Sequence, residues 1–169
     1  MPKPFVAVLM GSDSDLPVVQ STLDVLKKLE IPHEVKITSA HRTPEITRIY
    51  VQKTDKCGCA VFIAAAGLAA HLAGTVASIT FKPVIGIPLD VGGLGGIDSL
   101  LSTVQMPGGI PVATVAVGKA GAKNAAYLAA QILALSDSEL LKRLTQEHVD
   151  NANAVITKNA ALQESLQKL

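Results

Sequence analysis

Short apolar runs alternate with longer amphipathic stretches along most of this chain, and Gly, Pro or a polar cluster punctuates each switch. Phe5 to Met10, held between Pro4 and Gly11, reads as a buried strand. The small polar turn Gly11-Ser12-Asp13-Ser14-Asp15 follows, then an amphipathic helix from Pro17 to Leu29. Beyond Ile31-Pro32 the alternating run His33 to Thr38 predicts a second strand. Pro44 suits a first helical position with Thr43 as N-cap, and the helix continues from Glu45 to Lys53 before a polar connection, Lys56 to Gly58. Cys59 to Ala64 is a third strand. Ala65 to Thr80 is small or apolar except for His71 and hydroxyls, and predicts a tight turn and a buried helix. Val84 to Pro88 gives a fourth strand, Asp90 to Gly96 a glycine-rich loop, and Ile97 to Val104 a short helix. Met106 to Pro111 is a loop, because its prolines and glycines forbid regular structure. Val112 to Val117 reads as a fifth strand and Lys119 to Leu135 as an alanine-rich helix. Ser136-Asp137, with Glu139 close behind, starts a long polar helix towards Leu169.

This alternation is βαβ logic, with right-handed crossovers and a parallel sheet. It predicts an α/β fold of three αβα layers, flavodoxin-like or Rossmann-like, with a five-stranded parallel sheet and a long C-terminal helix. One domain is expected over residues 1–169, an α/β core over 1–135 and the helix over 136–169. That helix has apolar positions at Leu140, Leu144, Val149, Val155, Ile156 and Leu162, too spread out to bury on one such domain. Part of it is expected on a neighbouring subunit, the alternative being a detached tail.

Composition narrows the class. Aromatic residues make up 3% and tryptophan is absent, so Ala, Val, Ile and Leu must build the core, as in a sheet covered on both faces. The formal net charge of +1 comes without a basic block, which argues against a nucleic-acid partner. Between Ala60 and Gly118 the formal charges are Lys82, Asp90 and Asp98 alone, yet Gly, Pro, His and Lys interrupt the apolar middle before it reaches a membrane-spanning length. Cys57 and Cys59 are poorly spaced for a disulfide and too few for zinc, and with no signal-peptide layout they fit a cytoplasmic protein with reduced thiols.

Three loops leave the carboxyl ends of strands and must converge on one edge of the sheet, where open α/β folds bind ligands. In the first, small residues let backbone N–H groups approach an anion, Ser12 and Ser14 add hydroxyls, and Asp15 could accept from a sugar diol or simply cap a helix. The second, Ser39-Ala40-His41-Arg42-Thr43-Pro44, offers the planar fork of Arg42 for a phosphate and an imidazole that titrates near neutrality. The third runs from Ala64 to Gly74 and holds His71 among small residues, as a core histidine or a ligand-facing one. Two histidines without carboxylate or thiol partners at ligand spacing do not indicate a metal, and no serine sits in a nucleophile elbow. Together these describe an enzyme moving protons on a phosphorylated sugar derivative, without a redox cofactor.

The stretches Gly11 to Asp15, Ser39 to Pro44, Gly67 to Gly74, Asp98-Ser99-Leu100, Gln105-Met106-Pro107 and Gly118 to Ala126 closely resemble the PurE family, in order, from about Phe5 to Leu135. The family's reaction, as the resemblance implies it, is that of 5-(carboxyamino)imidazole ribonucleotide mutase in purine biosynthesis. A carboxylate moves from the exocyclic nitrogen of an aminoimidazole ribonucleotide to ring carbon 4, through carbon dioxide as a trapped intermediate. The implied roles are phosphate binding for Arg42, Ser12 and Ser39, with Ser14 beside them, and ribose binding for Asp15. His41 would be the general acid–base. His71, with Gly67, Ala69, Ala70 and Leu72, would line the carbon dioxide region, and Met106 would wall the imidazole. A homo-octamer without cofactor, metal, nucleic acid or membrane partner is implied as well.

Two positions depart from the family, which usually reads Gly-Gly-Ala-Ala-His-Leu-Pro-Gly in the third loop: Leu68 stands for a glycine and Ala73 for the proline. A related class carboxylates aminoimidazole ribonucleotide directly, tends to carry lysine in place of Arg42, and lacks the Gly118 to Ala122 insertion. This sequence has both mutase features. A non-catalytic nucleotide- or flavin-binding module is the alternative of a different kind.

Overall fold

The structure, a computed structural model, describes residues 4–167. Strands β1 (Phe5–Met10), β2 (His33–Ile37), β3 (Cys59–Ala66), β4 (Val84–Pro88) and β5 (Ala113–Thr114) form one parallel sheet in the order β2-β1-β3-β4-β5. Between them run α1 (Leu16–Lys28), α2 (Pro44–Lys56), α3 (Leu72–Ala77) and α4 (Ile97–Val104), and α5 (Gly118–Ala134) and α6 (Ser138–Leu166) follow β5. This is the three-layer αβα architecture that the strand–helix alternation predicts.

Alternation along the central strands decides which layer each side chain joins. Val6, Val8 and Met10 of β1, with Val61 and Ile63 of β3 and Ile85 and Ile87 of β4, are buried under α1 and α5. Ala7 and Leu9, with Phe62 and Ala64, face α2 and α3 on the other side. Helix α5 presents Ala122, Ala125, Ala126, Ala129 and Ala130, all fully buried, so its backbone lies close to the sheet and to α1. The Thr22 hydroxyl of α1 donates to the Ala122 carbonyl at 2.8 Å, tying residues 100 positions apart.

Four elements differ from the sequence expectation. Helix α2 runs three residues past Lys53, to Lys56. β3 runs two residues beyond Ala64, to Ala66, which carries the third loop further out over the sheet edge. The predicted buried helix is confined to Leu72–Ala77, because residues before it form an irregular turn with Leu68 at φ 56°. β5 keeps two residues of the expected Val112 to Val117. Its partner β4 ends at Pro88, which has no N–H with which to extend the ladder.

Helix α6 begins under a cap in which Asp137 accepts from the N–H groups of Glu139 and Leu140, both at 3.0 Å. Leu140 is buried, Arg143 Nε donates to the Leu29 carbonyl at 2.9 Å, and Glu147 meets Lys28 Nζ at 2.6 Å. Tyr127 of α5 donates to the same carboxylate at 2.8 Å. Lys28, first, and then Tyr127 hold the Glu147 carboxyl below the usual carboxylate range. Beyond Glu147 every described residue of α6 is exposed, Val155 at 67% and Ile156 at 65% among them. Among the described residues no helix is long and apolar enough to cross a membrane.

Candidate active site

In a sheet ordered β2-β1-β3, the chain leaves β1 towards one side and arrives at β3 on the other, so a crevice opens between the connections at the carboxyl edge. A cavity of about 510 Å³ occupies it, lined by residues after β1, β2, β3 and β4. The sequence-predicted Ser12, Ser14, Asp15, Ser39, His41, Arg42, Gly67, Ala69, His71 and Leu72 all line it.

The loop after β1 folds on itself. Ser12 N–H donates to Asp15 Oδ2 at 3.0 Å, while Ser12 Oγ accepts from Ser14 N–H at 3.3 Å and Ser14 Oγ at 2.9 Å. This is a capping box on the single turn Asp13–Asp15. Asp15 is 8% exposed and makes no side-chain cap to α1. Burial pushes its carboxyl above the usual aspartate range, against the pull of the Ser12 and Gly11 N–H groups and, more weakly, the Arg42 charge.

The loop after β2 is a tight turn entering α2. Pro44 takes the first helical position as its fixed φ favours, and Thr43 is the N-cap by position. Its hydroxyl does not cap, however. It accepts from Ser39 N–H at 3.0 Å and so closes the turn rather than the helix end. Ser39 Oγ accepts from Arg42 N–H at 3.1 Å. The Arg42 guanidinium crosses to the Gly11 carbonyl, with Nη2 donating at 3.1 Å, and joins the first two loops. Its remaining N–H groups are left for an anion between them.

The third loop brings the second histidine. Val91 packs where a side chain on Gly67 would stand, with Cγ2 at 1.9 Å from that point, so only glycine lets the loop pass. His71 sits just before α3 rather than inside a helix. Its Nδ1 lies 2.7 Å from His41 Nε2, with the rings edge to face at 81°. One nitrogen must donate and the other accept, so the pair holds a single proton between the rings. A histidine standing alone in the sequence is thus half of a couple.

Ala70 and Met106 are not brought to the cavity. Ala70 is buried within the third loop, and Met106 Sδ lies 3.0 Å from the point a Cβ on Gly74 would occupy, against α3. The cavity gains Gly11, Ala40, Ala66, Leu68 and Val91, which reasoning from the sequence did not single out as binding residues. Val91 follows the carboxyl end of β4, and that position was the signal available for it.

The family model described as AIR carboxylase matches residues 5–154. The N5-carboxyaminoimidazole ribonucleotide mutase of Pyrococcus horikoshii is 49% identical over 162 residues, covering 96% of this chain and 90% of that protein. The chloroplastic phosphoribosylaminoimidazole carboxylase of Vigna aconitifolia is 48% identical over 156 residues, 92% of this chain but 28% of that longer protein. The crystal structure of Treponema denticola PurE superposes with a TM-score of 0.86 at 30% identity, covering 95% of this chain and 99% of that one.

Proposed function

The chain belongs to the AIR carboxylase family, and from that premise we infer that it is a mutase of purine biosynthesis. It moves a carboxylate from the exocyclic nitrogen of 5-(carboxyamino)imidazole ribonucleotide to ring carbon 4. The observation that carries the mechanism is the hydrogen-bonded His41–His71 pair beside Arg42 at the mouth of one crevice.

Arg42 holds the 5′-phosphate with Ser12, Ser14 and Ser39 around it, through charge-assisted hydrogen bonds. Asp15 accepts from the ribose hydroxyls through the oxygen that Ser12 N–H does not occupy. His41 gives a proton to the exocyclic nitrogen as its bond to the carboxyl carbon breaks, releasing carbon dioxide and leaving the free amine. Carbon 4 then attacks the trapped carbon dioxide, and His41 takes the proton that carbon 4 sheds. One proton is given and one is taken back, so the couple ends as it began, with His71 steadying the imidazole between the two transfers. Gly67, Ala69, Leu72 and Val91 offer little that would hold water, and a dry wall keeps carbon dioxide from escaping before recapture.

The exposed apolar positions of α6 support an assembly, which we read as a homo-octamer with α6 seated on a neighbouring subunit. The free thiols Cys57 and Cys59 support a cytoplasmic setting. Direct carboxylation of aminoimidazole ribonucleotide is the second reading, favoured by the name of the Vigna aconitifolia relative. Turnover at low bicarbonate, with the carbamate ribonucleotide and plain aminoimidazole ribonucleotide in parallel, separates the two. Rapid conversion of the carbamate alone is expected. Conversion of the plain ribonucleotide alone, rising with dissolved carbon dioxide, overturns the mutase reading.

A further inference from the structure

Behind the loop that carries His41 and Arg42 lies a cluster of threonines that substrate does not reach. Thr47 of α2 is 0% exposed and Thr38, at the end of β2, is 4% exposed. Their hydroxyls meet at 2.7 Å, and Thr47 Oγ1 also lies 3.1 Å from the Thr43 carbonyl and 3.4 Å from the Ser39 carbonyl. Thr43 Oγ1 takes the Ser39 N–H at 3.0 Å and reaches the Ser39 carbonyl at 3.2 Å. The protons can be placed without conflict: Thr38 donates to Thr47, Thr47 to the Thr43 carbonyl, and Thr43 to the Ser39 carbonyl.

We propose that Thr38, Thr43 and Thr47 are positioning residues, a hydroxyl brace that fixes both ends of the Ser39–Thr43 turn and thereby holds His41 at hydrogen-bonding distance from His71. The role given to His41 rests on the mutase reading above. Valine has the same β-branched shape as threonine, so packing alone gives no reason for threonine at these buried points. What the hydroxyls add is directional. The turn lies past the last ladder bond of β2, where Thr38 N–H donates to the Met10 carbonyl at 2.9 Å. From there the turn closes on a backbone bond, Thr43 N–H to the Ser39 carbonyl at 3.0 Å, and the threonine hydroxyls tie its two ends to one another and to α2. His41 at its apex inherits whatever play they leave.

The test pairs two substitutions that a packing role and a positioning role rank in opposite order. Thr47→Val keeps the volume and removes the hydroxyl, while Thr47→Ser keeps the hydroxyl and opens a methyl-sized gap. We expect kcat to fall about 10- to 100-fold in Thr47→Val, more than KM rises, on the scale of an ångström-sized misplacement. Thr47→Ser, although less stable to heat, should turn over at close to the parent rate. Crystal structures should show the His41–His71 separation beyond about 3.5 Å in Thr47→Val and unchanged in Thr47→Ser. Parent-like kcat with the imidazole pair intact in Thr47→Val overturns the brace. If the parent protein converts neither ribonucleotide, the mutase reading falls. The imidazole separation in Thr47→Val then decides the brace alone, an intact pair overturning it.

Discussion

The crevice edge and helix α6 handle their unmatched groups in opposite ways. At the edge, polar atoms that the sheet and helices leave over find one another: Ser12 with Asp15, Arg42 with Gly11, His41 with His71. Along the outer part of α6, apolar side chains such as Val155, Ile156 and Leu162 stand more than half exposed. The edge is organised by directional bonds that one copy of the protein can complete. The arm is organised by apolar area, which has no effect until another surface covers it. Chemistry is therefore expected to depend on single atoms at the edge, and assembly on the summed area of the arm.

The widest break between the two should come from His41→Asn, which removes the proton carrier and leaves every apolar contact in place. We expect kcat to fall about 10²- to 10⁴-fold, with the mass by light scattering unchanged. Undiminished turnover would take His41 out of the mechanism. Asp15→Asn should lower kcat/KM about 10- to 100-fold, the scale of one charge-assisted hydrogen bond. Its stability should move the other way. The folded carboxyl is shifted up, so its contribution is full below the ordinary aspartate value and is lost as pH rises through the raised one. Asp15→Asn should therefore melt no lower than the parent at neutral pH, and any advantage should shrink on acidification. Melting scans at pH 7 and pH 4 check the sign.

Cutting the chain before Ser136 attacks the arm instead, and light scattering should report smaller, less stable species. An unchanged mass would show that other surfaces make the assembly. Leu68→Gly should stabilise by about 0.5–1 kcal/mol, because the left-handed backbone at φ 56° suits glycine and penalises leucine. A fall in melting temperature would mean that the contact of Leu68 with the Gly92 loop outweighs the strain. The smallest effect belongs to Glu147. Its folded carboxyl is shifted down, so the link to Lys28 is complete above the ordinary glutamate value and fails as pH drops through the lowered one. Protection of α6 amides, taken against the intrinsic exchange rate at each pH, should fall at that acid end and in Glu147→Gln at neutral pH, with little change in global melting.

Much of the fold could be read because its boundaries are marked by residues with fixed habits. Pro4 and Gly11 bracket β1, Pro83 and Pro88 bound β4, and Asp137 caps α6. Where the marks are absent the reading slipped. Nothing in an alanine-rich stretch states that Ala65 and Ala66 extend β3, or that Leu68 turns left-handed before a helix of six residues. The candidate site divides in the same manner. Arg42 and His41 were legible from their place after β2. The bond between His41 and His71 was not, because it joins loops 30 residues apart whose strands are separated in the sheet by β1. The spacing of Thr43 and Thr47 puts them on one helical face, but their link to Thr38 exists only once β2 and α2 have packed.

The Thr22–Ala122 bond has a consequence for how the protein is made. Helix α1 completes its burial against α5, which the ribosome delivers 100 residues later. At about 5–20 residues per second, that is a wait of roughly 5–20 s. Over that interval Val19, Val25 and Leu26 have no α5 to cover them, beside a sheet still being built. Helix α1 is thus an early segment whose apolar face gains its cover late.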